Sequence, residues 1–295
     1  MVVGGSGFIG RHLLEALSRQ GHEVTAIYRN AQSFEDYARR LGAVPRRHDL
    51  LKEERTWDHE VGIYLAGNSN HALSISQPLE DLEMNLVALN RFLRGFPGNL
   101  IFLSSAAIYE GHEGLVHPKD SVYPSLPYAI SKFASECYIR HYYNTGKISG
   151  YLILRLYYAY GPGEREGRLF QNLCRSVLQG GQRTFRVAGA GDSFLDPLHV
   201  DDVVDALVRA LPHAGSQGVY DLCGGRSQKV RDLVKEVAAA FGVSVEIECD
   251  PSWKEVPIRF WSDPAPVRSA FGLRTPTPLK QGLAAYLTSM KGTAE

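Results

Sequence analysis

Two stretches of this chain place a lysine four residues after a tyrosine: Tyr128 and Lys132 in "PYAISK", and Tyr143 and Lys147 in "YNTGK". Residues four apart on a helix stand one above the other on a single face. An ammonium beside a phenol favours the phenolate and lowers its pKa from the usual value of about 10. The phenol then becomes a usable proton carrier near neutral pH. A neighbouring hydroxyl can hold the substrate oxygen and share the proton. Together these groups are equipment for moving a hydride between carbon and a nicotinamide while a proton moves on oxygen. The two pairs differ in their surroundings. Asn144-Thr145-Gly146 is helix-stop chemistry, which takes Lys147 off the face of Tyr143. Pro127 sits where a helix starts well, which keeps Tyr128 and Lys132 on one face.

The elements that must position this pair read directly. "NLIFLSS" (99–105) is a strand ending in Ser104 and Ser105, and the helix 128–143 follows it. Both serines can therefore meet Tyr128 and Lys132 at the edge of a cofactor. The opening "MVVGGSGFIGRHLLEALSRQGHEVTAIYRN" reads as strand, glycine turn, helix, strand. Gly4 permits a tight turn, Gly7 lets the backbone approach a pyrophosphate, and Gly10 lets helix and strand pack closely. Phe8 and Ile9 open the helix, whose free N–H groups suit the phosphates. Placed between a strand and an amphipathic helix, the glycine pattern is a dinucleotide-binding signature. Only three residues precede Gly4, so a short first strand, or a trimmed one, is expected. The end of the second strand carries Arg29 where an acid would accept from a ribose 2′-hydroxyl. An arginine suits a 2′-phosphate instead, which favours NADP and leaves NAD possible. Arg11 is a second candidate for that anion.

Strand and helix signals continue to alternate: strand 61–67, helix 81–93, strand 99–105, helix 128–143, strand 151–160. Alternation of this kind implies an α/β chain with a doubly wound parallel sheet, of Rossmann type, whose ligands sit at the carboxyl ends of its strands. After "GPGEREG" (161–167) the rhythm changes. The expected division is a dinucleotide-binding domain over 1–163, with parts of 196–222 returning to it. Residues 164–295 would form mostly a smaller substrate-binding lobe, with the cleft between the lobes as the site.

The bulk numbers set outer limits. The chain has 295 residues, 44% apolar and 22% charged, and its formal net charge is zero. That argues against nucleic acid or an anionic membrane held by bulk charge. No membrane span and no signal peptide are evident, so a cytoplasmic protein is expected. Cys137, Cys174, Cys223 and Cys249 lie far apart without metal spacing, and reduced thiols and no metal are expected.

The chain as a whole resembles the extended short-chain dehydrogenase/reductase family, the NAD(P)-dependent sugar epimerases, dehydratases and reductases. The resemblance rests on "GGSGFIG", "HDL" (48–50), "YLAG" (64–67), "MNLVALNRFL" (84–93), "FLSSAAIYEG" (102–111), "PYAISK", "LRLYYAYGPG" (154–163) and "HVDDVVDAL" (199–207). It implies that Tyr128 is the acid/base, that Lys132 binds the nicotinamide ribose and tunes Tyr128, and that Ser105 is the partner hydroxyl. Asp49 and Leu50 would contact the adenine. Leu65, Ala66 and Gly67 would line the middle of the cofactor, and Asn85 would lie near its nicotinamide end. Tyr157 and Ala159 would flank the nicotinamide amide. Family members often dimerise through two helices per subunit. Helices 81–93 and 128–143 would supply them here, with Phe92, Phe133, Cys137 and Tyr138 either on that face or in the core.

The departures from the family pattern bear on substrate. Dehydratases carry an Asp-Glu pair after the catalytic hydroxyl, where this chain has Ala106 and Ala107, so a 4,6-dehydratase is not expected. Members that bind nucleotide sugars usually show Asn where this chain has Tyr158, and Arg where it has Leu195. Arg165, Arg168 and Arg259 are the candidate replacements for a substrate diphosphate. The expected activity is epimerisation or 4-keto reduction of a nucleotide-linked sugar. A reductase of a smaller carbonyl compound and a non-catalytic nucleotide sensor are the alternatives.

Overall fold

Short apolar runs closed by turn residues become the strands of one sheet. A computed structural model describes residues 1–30, 33–179, 183–250 and 257–292. Seven strands are labelled here β1 (Val2–Val3), β2 (Thr25–Tyr28), β3 (Val44–Arg47), β4 (Val61–Tyr64), β5 (Asn99–Ser105), β6 (Gly150–Leu156) and β7 (Gln217–Leu222). They pair in the order β7-β6-β5-β4-β1-β2-β3, and every pairing is parallel. The first strand is only two residues long, yet it sits between β2 and β4. A parallel sheet covered on both faces needs strands apolar throughout, and β5 and β6 are buried along almost their whole length.

Helices fill the two faces. Leu13, Leu14 and Leu17 of the helix Phe8–Arg19 pack with Val203, Val204 and Leu207 of the helix Val200–Ala210. On the other face Leu89, Phe92 and Leu93 pack with Ile139 and Tyr142 of the helix Pro127–Asn144. These are the core-facing stripes of amphipathic helices. Phe92 is thus core, and Phe133 is partly buried against Ile108 and Phe260, while Cys137 and Tyr138 are exposed. Among the other cysteines Cys174 and Cys223 are buried and Cys249 is exposed. The second lobe packs the helices Leu169–Gln179, Val230–Ala240 and Leu279–Gly292 around Phe170, Leu173, Leu233, Val234 and Tyr286. No helix among the described residues is long and apolar enough to cross a membrane.

Two elements differ from their expected forms. The helix expected over 81–93 runs from Pro78 to Arg94, and its middle, Glu83–Val87, is a π turn. The strand expected over 151–160 is two strands. β6 ends at Leu156, and Tyr158–Tyr160 leaves the sheet to pair with Pro197–His199. The break falls at Tyr157, whose N–H donates to the carbonyl of Leu222 at the end of β7.

Behind the helix Pro127–Asn144 lies a buried charge pair. Arg155 on β6 donates from Nε and Nη2 to the two carboxylate oxygens of Glu136, at 3.0 and 2.7 Å. Ser104 donates to the same carboxylate at 2.7 Å. Arg155 Nη1 donates to the Tyr109 hydroxyl, which donates to Asp221 on β7. Replacing Arg155 by Met would leave the fully buried Glu136 carboxylate without its bidentate partner. The expected loss is about 3–5 kcal/mol of stability, the usual cost of breaking a buried pair from one side. Denaturant unfolding of Arg155→Met against the parent measures it, and a loss below about 1 kcal/mol would contradict this account.

Candidate active site

The carboxyl ends of β1, β2 and β4 open onto a groove of about 410 Å³. Of the residues expected to hold the cofactor, Gly4, Gly7, Arg29, Asp49, Leu50, Leu65, Ala66 and Gly67 line it. Gly4 has φ +88°, and a Cβ there would lie 2.8 Å from the backbone nitrogen of Ala66. At Gly10 a Cβ would fall 2.4 Å from the Gly4 carbonyl oxygen, so helix and turn pack only without it. The helix that begins at Phe8 has no side-chain cap and no acid in its first turn. Its N-terminal N–H groups and dipole are therefore left for an anion. A groove of this shape with a bare helix N-terminus fits a dinucleotide pyrophosphate.

Individual residues refine the picture. Arg29 is exposed at the groove rim, and its carbonyl accepts from Arg47. Arg11 is turned away from the groove: Nε donates to the Ser6 carbonyl, and the guanidinium lies 4.9 Å from the Tyr37 ring centre. Asn85 lines neither this groove nor the neighbouring cavity. Its Oδ1 accepts from the Asn68 N–H at 2.9 Å, and its Nδ2 donates to Asp81 and to Ser131, each at 3.0 Å. The π turn directs it at the loop that follows β4. A Cβ on Gly67 would come within 2.3 Å of Asn85 Oδ1. Asn85 thus shapes the groove from behind.

A second cavity, of about 320 Å³, lies beyond the helix start. Its walls include Phe8, Ile9, Ser104, Ser105, Tyr128, Tyr157, Tyr158, Ala159 and Arg168. Tyr128 and Lys132 are both buried on one face of the helix Pro127–Asn144. The other pair behaves as its sequence implies: the helix ends at Asn144 and Lys147 lies beyond it. Lys132 Nζ donates to the Leu103 carbonyl at 3.2 Å and stands 4.9 Å from the Phe102 ring centre. Burial pulls its pKa down to about 8, against the opposing pull of Asp81 and Glu136.

The electrostatics of Tyr128 differ from the expectation. Burial pushes its pKa up; the opposing influences are the hydrogen bond from Ser105 and the charge of Arg168. Lys132 is not among them; its ammonium donates to the Leu103 carbonyl. Ser105 Oγ accepts from the Ala107 N–H, which leaves its proton for donation. Ser104 reaches the cavity wall, but its hydroxyl proton goes to Glu136.

The candidate substrate arginines separate. Arg165 and Arg168 line the cavity, whereas Arg259 is paired with Glu113 at the surface and does not. Tyr158 donates to Glu164, and the Arg168 guanidinium lies 4.5 Å from the Tyr158 ring centre. Two residues of the site escaped the sequence reading. His71 packs on Tyr128 with ring centres 4.8 Å apart; burial, then the charge of Arg168, lowers its pKa. Glu164 sits in the cavity wall and pairs with Arg168. His71 opens the short helix His71–Ser76 and Glu164 lies in a loop, and no local pattern marks them.

Comparison with known proteins gives four findings. The model of the NAD dependent epimerase/dehydratase family matches residues 1–223. The chain is 30% identical over 275 residues to GDP-6-deoxy-D-mannose reductase of Pseudomonas aeruginosa, covering 85% of this chain and 83% of the relative. It is 28% identical over 282 residues to UDP-glucose 4-epimerase of Halalkalibacterium halodurans, covering 85% and 83%. Among solved structures, RMD from Pseudomonas aeruginosa complexed with NADPH superposes with a TM-score of 0.78 at 27% identity, covering 99% of this chain and 98% of that one.

Removing the Asn85 amide would strip the Asn68 N–H and Asp81 of buried partners. For Asn85→Ala the expected result is a folded protein that binds NADPH or NADH about tenfold more weakly, a cost of about 1–2 kcal/mol. Fluorescence titration of the reduced dinucleotide reads this, and unchanged affinity would remove Asn85 from any part in shaping the groove.

Proposed function

The chain belongs to the NAD-dependent epimerase/dehydratase family, enzymes of the extended short-chain dehydrogenase/reductase type, and we propose that it acts by hydride transfer on a nucleotide-linked sugar, as a 4-ketoreductase or 4-epimerase. The observation that carries this reading is the meeting of Ser105 and Tyr128 at a cavity adjoining the dinucleotide groove, with Lys132 buried one helical turn behind Tyr128. The nicotinamide, when bound, supplies or accepts the hydride. Tyr128 gives the proton to the substrate oxygen in the reductive direction, and its burial keeps the phenol protonated for that task. Ser105 donates to the same oxygen and steadies the phenolate that remains. Lys132 is assigned to the nicotinamide ribose. Elimination of water is disfavoured, because the cavity wall after Ser105 is Ala106 and Ala107, with no carboxylate there.

Arg29 at the groove rim favours the 2′-phosphate of NADP, which fits the reductase side of the proposal. The similarity to a GDP-6-deoxy-D-mannose reductase supports the same side. A smaller carbonyl substrate is the second reading, favoured by Leu195 in the cavity wall and by an Arg168 already paired with Glu164.

Two outcomes are expected. Tyr128→Phe lowers kcat on an identified 4-keto sugar nucleotide by about 10²–10⁴ with little change in KM, the usual worth of a positioned general acid; undiminished turnover would end the assignment. Wild-type protein prefers NADPH, and Arg29→Asp shifts the preference towards NADH by about tenfold or more, the equivalent of one charge-assisted contact. Equal preference in both proteins, measured by steady-state kinetics with each cofactor, would refute the role of Arg29.

A further inference from the structure

Glu164 is an unusual lining for a cavity meant for an anion. It lies in the turn after Tyr158–Tyr160, and its side chain is only 2% exposed. Oε1 accepts from Arg168 Nε and from the Tyr158 hydroxyl, each at 3.2 Å. Oε2 has no hydrogen-bond partner among the described residues, and neither has the Tyr286 phenol. Burial pushes the carboxyl up to about 7, against Arg168, Tyr158 and Tyr286. Cys174, on the helix Leu169–Gln179, also feels its charge. Arg168 in turn is felt by Tyr128 and His71. The contact engages only Nε of Arg168, and a guanidinium has four further N–H donors. The rest of the wall here is mostly apolar, with Phe194, Leu195, Ile258 and Phe260, beside Arg165 and the buried Asp196, whose carboxyl burial also pushes up.

The cavity therefore sets a partly exposed cation, Arg168, against a buried anion, Glu164; its second carboxylate, Asp196, is held by the N–H groups of Gly224, Gly225 and Arg226, and its second arginine, Arg165, is exposed. A substrate diphosphate drawn to Arg168 meets the carboxylate at close range in a poorly solvated site, where two like charges are costly. We propose that Glu164 is an exchangeable counterion: as an anionic nucleotide-linked substrate engages Arg168, Glu164 takes a proton from solvent and surrenders the arginine charge to the substrate. The step forms one O–H bond on the carboxyl and breaks none in the substrate. It rests on the nucleotide-sugar reading of the site. The neutral acid keeps the bond from Tyr158, and its new O–H can turn to the Tyr286 phenol, which the carboxyl already feels. Binding is then coupled to the uptake of one proton. Below the titration of Glu164 in the free enzyme the affinity is flat; above it, affinity falls by up to tenfold per pH unit, the limiting slope for one linked proton.

The probes are UDP-glucose and a GDP-linked hexose, whose diphosphate diesters do not titrate near neutrality, added to cofactor-loaded protein. Calorimetry at pH 8 in buffers of differing ionisation enthalpy is expected to show close to one proton taken up per ligand, and Kd is expected to rise above pH 7. Glu164→Gln, which mimics the protonated acid, is expected to bind with a Kd independent of pH from 6 to 9 and no proton uptake. Binding without proton uptake in the wild type, or the same pH slope in Glu164→Gln, overturns the counterion. If neither sugar nucleotide binds either protein at any pH, the nucleotide-sugar reading falls first and the counterion falls with it. The wild-type proton count decides even if the variant fails to fold.

Discussion

The position of the helix Pro127–Asn144, which carries Tyr128 and Lys132, hangs on one buried carboxylate. Glu136 stands two turns along from Tyr128 and receives both Arg155 and Ser104, one from β6 and one from β5. Arg155 carries the connection on through Tyr109 to Asp221 on β7, where Ser262 also donates. One network thus pins the helix to three neighbouring strands and to the segment that returns after the second lobe. Low dielectric makes each bond in it strong and each missing partner expensive, so the arrangement has few alternatives. Ser105 and Tyr128 inherit their relative position from this anchorage, since Ser105 follows Ser104 and Tyr128 shares its helix with Glu136.

The same burial that fixes the helix sets its chemistry. A phenol buried in an apolar wall holds its proton, and an ammonium buried one turn behind it gives its proton up more readily. Tyr128 and Lys132 are pushed in these opposite senses, and what moderates Tyr128 comes from across the cavity, from Ser105 and Arg168. A bound oxidised nicotinamide would add positive charge at the place where the protein itself supplies little. The resting site is in this respect a proton donor.

How much of this was legible in the amino-acid order depends on the range of each interaction. The glycine turn, the strand ending at Ser105 and the helix start at Pro127 are local, and turn chemistry and apolar period reveal them. The discounting of Tyr143 and Lys147 was equally local, since Asn-Thr-Gly closes its own helix. The π turn was invisible, because one extra residue in a helical stretch leaves the apolar pattern nearly unchanged. The strand break at Tyr157 was hidden too: "LRLYYAYG" is apolar on both sides, and only pairing with Pro197–His199 tells them apart. Charge states depended on packing between distant segments. Hence Lys132 is absent from the influences felt by Tyr128, and nothing local marks Glu164 or His71. Arg259 and Arg11 were misplaced for the same reason, as their partners Glu113 and Tyr37 lie elsewhere in the chain.

The route of the chain has a further meaning. It leaves the sheet after β6, builds part of the second lobe, returns at 217–222 to pair with β6 along its whole length, and leaves again. The two lobes are therefore stitched together and cannot be parted by a single cut. A polypeptide ending at residue 163 would retain six strands in sequence but lose the covering of β6, leaving a long apolar rim of unpaired N–H and C=O groups. Such a rim invites another chain to add itself. Gene fission at the apparent domain boundary would then yield a sticky fragment in place of a free-standing nucleotide-binding module.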